Sequence, residues 1–170
     1  MDSATDKSSW DKLFTGTVAV VGLVGSIVGI SVGVLPILQG RHPVTGLWTL
    51  TTQTENSTEN SFKGMELTYT VNFTSDGGHI TGTGEKLGQK LAGQSYMPYE
   101  PKARTPINIR GSFGFSGDSL DAVFTEAGEK RPTSGHLALK WDRKSKSWLG
   151  TFDSEAATST GDASLSLSSE

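Results

Sequence analysis

The chain has no cysteine among its 170 residues. That excludes a disulfide framework, a thiolate nucleophile and a cysteine-ligated zinc site. Histidine is scarce as well. His42, His79 and His136 stand far apart in the sequence, without metal-ligand spacing. Excess positive charge is absent: 15 basic residues face 18 acidic ones, for a net charge of −3. A binder of duplex nucleic acid needs a basic face to neutralise phosphates, so no duplex partner is expected. There is no Gly-x-Ser-x-Gly elbow. Gly82-Thr83-Gly84-Glu85-Lys86-Leu87-Gly88 fits neither the dinucleotide nor the P-loop spacing, and no helix follows it. The glycines there suit a bending strand better. Neither a catalytic constellation nor a cofactor is therefore expected.

What the chain does have is unevenly distributed. Leu13 to Gly40 contains no charged residue. From Thr17 to Leu38 the chain carries 14 hydrophobic residues and four glycines in 22 positions. At about 1.5 Å per residue, such a helix would cross a hydrocarbon core of about 30 Å. A buried core helix is usually shorter and keeps one polar face. A cleaved signal peptide needs a basic leader, whereas Asp2, Asp6 and Asp11 accompany Lys7 and Lys12 here. The expected organisation is a polar segment (1–14), a transmembrane helix (15–39), a linker (40–45) and a β-barrel domain (46–170). A plain cytosolic enzyme, a long coiled coil and a multi-span transporter do not fit this pattern. Lys7 and Lys12 on one side against Arg41 on the other lean toward a cytoplasmic amino terminus, but a two-to-one count is too small to decide the orientation.

Within the span, Gly25, Gly29 and Gly33 are four residues apart, and Gly22 and Ser26 extend the same face. Small residues so spaced form a groove that lets a second backbone approach closely, where lipid offers no hydrophobic drive. Gly22, Gly25, Gly29 and Gly33 are the candidate surface for homo-oligomerisation. The plainer alternative is that glycine is simply frequent in membrane spans.

After Gly46 the period changes to two. Apolar residues at 65, 67, 69, 71 and 73 alternate with polar ones. Ile107, Ile109, Phe113 and Phe115, then Leu137, Leu139 and Trp141, then Ala163, Leu165 and Leu167 repeat the pattern. Shorter matches cover 46–53, 78–85, 119–125 and 147–154. Turn signals such as Asp76-Gly77-Gly78 and Asp142-Arg143-Lys144-Ser145 separate them. Eight strands with short connections point to an all-β, eight-stranded antiparallel up-and-down barrel, since a sandwich usually needs longer crossings. The exception is Lys86–Thr105, read as a long functional loop or lid.

Inward phases collect Trp48, Tyr69, Phe113, Trp141, Trp148 and Phe152. Core packing is the ordinary role of each, but an aromatic interior also suits a planar or amphipathic ligand. Trp48, Tyr69 and Trp141, with Arg104 and Arg110 near the long loop, form the candidate ligand-binding set. Arg110 is out of phase with Ile107 and Ile109 and is expected to face solvent.

Gly46-Leu47-Trp48, Ile80-Thr81-Gly82-Thr83-Gly84, the run Ile107 to Phe113 and Trp148-Leu149-Gly150-Thr151-Phe152 resemble avidin- and lipocalin-type barrels. An anchor ahead of such a barrel resembles the bacterial anti-phage effectors of cyclic-oligonucleotide (CBASS-type) signalling. The resemblance implies a non-enzymatic effector in the bacterial inner membrane with a cytoplasmic barrel. Its ligand would be a cyclic oligonucleotide, and its partners membrane lipid and further copies of itself. Self-association of the span would then disrupt the membrane. An anchored binding or scaffold protein without that activity is the competing expectation, and an enzyme the third.

Overall fold

The computed structural model describes residues 44–128 and 131–168. The expected span at 15–39 and the stripe Gly22, Gly25, Gly29 and Gly33 lie outside the described residues. Among the described residues no helix is long and apolar enough to cross a membrane.

Among the described residues nine strands follow one another: β1 (Gly46–Asn56), β2 (Glu66–Asp76), β3 (His79–Lys90), β4 (Met97–Pro98), β5 (Pro106–Phe113), β6 (Ser119–Ala127), β7 (Pro132–Asp142), β8 (Ser147–Ser154) and β9 (Ser159–Leu167). Setting aside the two-residue β4, each strand pairs antiparallel with the next in sequence. β9 returns to pair with β1, placing Leu165 opposite Leu50. The sheet is thus a closed eight-stranded antiparallel barrel with up-and-down topology. Closure leaves no long unpaired edge for another chain to extend. β4 is an appendage, with Pro98 opposite Gly88 and Met97 opposite Gln89.

Alternation builds the core. In β2, Tyr69, Val71 and Phe73 are buried while Asn72 and Thr74 are exposed. In β6 the same phase buries Leu120, Ala122, Phe124 and Glu126. β3 supplies small residues instead. A methyl group added at Gly84 would lie 1.9 Å from the Thr70 carbonyl oxygen, so glycine is what allows β3 and β2 to approach so closely there.

The two ends of the barrel differ. At the end where β1 begins, the turns are short and the interior is filled with aromatic rings. Trp148 lies 5.7 Å from Phe113 and 5.4 Å from Trp141, centroid to centroid, the second pair edge to face. Trp48, Val44, Phe73 and Leu120 are buried with them. The turn after β7 is held by Asp142, whose carboxylate accepts from the backbone N–H groups of Lys144 (3.3 Å) and Ser145 (2.9 Å).

Two boundaries and one exposure correct the sequence reading. β5 stops at Phe113, and Phe115 sits in the following turn, 90% exposed. Leu167 ends β9 with 63% of its surface exposed, although its phase is apolar. β3 continues to Lys90, so the long connection covers 91–105 rather than 86–105 and contains β4 and a 3-10 turn at Pro101–Ala103.

Candidate functional site

The other end of the barrel is open inside. Here β1, β3, β6 and β8 finish and β2, β5, β7 and β9 begin. A cavity of about 290 Å³ lies among their inward-facing side chains. That is the small end of the range typical of ligand pockets. Leu50, Leu67, Ile107, Phe124 and Phe152 form apolar walls, with Phe62 and Met65 of the β1–β2 connection beside them. Thr52, Thr54, Thr133, Ser154 and Ser159 add hydroxyl groups.

Charge enters this cavity because two strands keep their inward phase beyond their apolar residues. Glu126 follows Leu120, Ala122 and Phe124 on β6. Lys86 follows Gly82 and Gly84 on β3, opposite Tyr69. A bulge comes next: Thr68 pairs with Gly88 while Tyr69 pairs with Lys86, leaving Leu87 without a partner on β2. The extra residue shifts the phase of β3, so Gln89 as well as Lys86 lines the cavity.

The charged groups meet around one carboxylate. Glu126 Oε1 is ion-paired with the Lys86 ammonium and accepts a hydrogen bond from the Thr105 hydroxyl at 3.1 Å. Its Oε2 accepts from the Tyr69 hydroxyl at 3.0 Å. The Lys86 ammonium also stands 5.8 Å from the centroid of the Tyr69 ring, a cation–π distance. Burial pushes the Tyr69 phenol well above its ordinary value of 10.0. The negative charge of Glu126, the hydrogen bond to it, and Tyr99 act in the same direction. A buried carboxylate is costly alone and tolerable when paired and hydrogen-bonded, as here.

The connection 91–105 is fastened to β3 beside this site. Tyr99 donates its backbone N–H to Leu87 O at 2.7 Å and its hydroxyl to Gln89 Oε1 at 2.7 Å. Arg104 pairs with Glu85 at 2.5 Å and donates through Nε to Tyr99 O at 3.4 Å.

Of the residues singled out from sequence, Tyr69 lines the cavity. Trp48 is buried at the aromatic end, and Trp141 is partly buried there against Trp148. Arg104 belongs to the ion pair with Glu85, and Arg110 is exposed on β5. The structure therefore gathers Tyr69 with Lys86 and Glu126 rather than with the other four. Sequence reasoning passed over both charged partners. The signal for Glu126 is an acid that continues an apolar phase; the expected loop 86–105 takes in Lys86, which the structure places on β3. His136 lies outside the cavity, on the barrel surface, 3.8 Å from Asp121 and 3.8 Å from Asp153. Among the described residues no group of three side chains is placed to hold a metal ion.

Fold and site together define a closed antiparallel barrel with an internal cavity at one end, apolar in its walls and charged at one point. No protein-family profile, curated protein or solved structure matches the chain.

Proposed function

We propose that the chain is a membrane-tethered binding protein whose barrel takes a small, largely apolar ligand. Occupancy of the barrel would be the input, and association of the segment 15–39 through Gly22, Gly25, Gly29 and Gly33 the output. The observation that carries this reading is the cavity itself: an unfilled apolar space with a defined polar point in an otherwise packed barrel. The ligand expected from the family resemblance, a cyclic oligonucleotide, carries at least two phosphates. Among the described residues the cavity wall offers one cation, Lys86, whose charge Glu126 already balances. This favours a ligand of low charge.

Full-length protein in lipid nanodiscs, titrated with a cyclic dinucleotide and with small neutral apolar compounds, tests both steps. A ligand that binds the folded barrel raises its unfolding temperature by mass action. The expected result is stabilisation by a neutral compound and none by the nucleotide. Thr54→Phe, which narrows the cavity, should remove the effect. A crosslinking ladder that lengthens when the ligand is present supports the effector output. An unchanged ladder with retained binding leaves a passive tethered binder.

A further inference from the structure

The hydroxyl groups of the cavity wall can each donate or accept and so select weakly, whereas its charged point is fixed in sign and sets the stronger selection. Glu126 has little acceptor capacity left, since Lys86, Thr105 and Tyr69 all reach its two oxygens. Lys86 is different. An ammonium has three N–H donors. Among the described residues its contacts are Glu126 and the face of the Tyr69 ring. The hydrogen-bonding capacity still open at this point of the wall is therefore donor capacity on Lys86.

The geometry points to a ligand that carries an uncharged carbonyl-type acceptor, as in a ketone, aldehyde, ester or amide, on an apolar body, with that oxygen seated on the Lys86 ammonium. The inference rests on the reading of the cavity as a ligand site and specifies what that site selects. A carboxylate or phosphate head on Lys86 would stand beside the Glu126 carboxylate, like charge against like in a water-poor space. A cationic head would face Lys86 itself. A plain hydrocarbon would strip water from the ammonium and return no acceptor, which is costly for a charged donor. A neutral carbonyl supplies the acceptor and adds no charge.

Four probes of matched length separate these cases: 2-nonanone, nonane, nonanoate and nonylamine. Binding is measured on the full-length protein in nanodiscs, with empty nanodiscs subtracted for partition into lipid. Circular dichroism checks that each variant keeps its strands. In the native sequence 2-nonanone should bind about tenfold more tightly than the other three, the scale of one hydrogen bond to a charged donor. Glu126→Gln removes the like charge and leaves Lys86 unbalanced, so the preference should turn to nonanoate by about tenfold. The double variant Lys86→Met, Glu126→Gln keeps an uncharged cavity that has its hydroxyl groups but not the ammonium donor, so the preference for 2-nonanone over nonane should be lost. Equal binding of 2-nonanone and nonane to the native protein, or a ketone preference that survives in the double variant, overturns the inference while leaving the cavity a ligand site. If none of the four binds any form, the ligand-site reading falls and takes this inference with it.

Discussion

Tyr69 couples the stability of the barrel to its charged cavity. Its hydroxyl donates to a buried carboxylate, so Tyr69→Phe should cost about 1–3 kcal/mol, with Glu126 still held by Lys86 and Thr105. Its ionisation gives a pH test. The folded-state pKa is raised above the unfolded value of about 10, so the folded protein holds the phenolic proton more tightly. The resulting stability is fully present below pH ~10 and is lost as pH rises from there towards the folded pKa. Denaturant midpoints followed by circular dichroism at pH 8 and at steps above pH 10 should fall for the native chain. The fall should be shallower for Tyr69→Phe. Parallel curves for the two proteins would mean that another group governs the alkaline limb. Gly84→Ala tests close packing in the same layer. Its methyl group would meet the Thr70 carbonyl oxygen, a backbone atom that cannot swing aside, so a loss of about 1–3 kcal/mol or more is expected in the same assay.

Strand elements were largely legible because each barrel strand buries one face, and a period of two writes that burial into the sequence. The eight strands, their order and the turn at Asp142 follow from that pattern. What escaped it has physical causes. Phe115 continues an apolar phase past the point where backbone pairing stops, and Leu167 is still paired with Trp48 but sits exposed at the end of its ladder; alternation alone marks neither. The bulge at Leu87 changes the phase of β3 midway, so its final residues read as loop. Glu126 and Lys86 are charged, and a rule that sorts charge outward overlooks them although their phase is inward. Periodicity groups the aromatics as one inward set, but they divide between two ends along the barrel axis, which it does not report. That division carries a prediction. Trp148 has 0% of its surface exposed and sits among rings at the filled end, so Trp148→Ala should cost about 3–5 kcal/mol. Phe152 borders space that is already empty, so Phe152→Ala removes fewer contacts and should cost less. Equal losses would show that the cavity is not open in solution.

At the scale of the whole molecule the barrel and the segment 15–39 carry different chemistry, which assigns them different parts in the proposed effector. The barrel offers an internal cavity with one charged point. The segment 15–39 offers four glycines spaced for backbone approach and no charged side chain that could read a signal. In the proposed arrangement a single span cannot enclose a pore, so membrane activity would have to come from assembly. Contacts between small residues are individually weak, and they need a high local concentration of helices to persist. Bringing barrels together supplies that concentration without a new helix contact, because effective concentrations between linked modules reach the millimolar range. Gly29→Leu should therefore leave ligand binding by the barrel intact while abolishing the crosslinking ladder in bilayers. With the barrels fused to an inducible dimerisation domain, dye entry into cells should rise for the native chain and stay at background for Gly29→Leu. If both chains admit dye equally, the glycine stripe is not the assembling surface. If neither does, the membrane segment is a tether and the cavity serves binding alone.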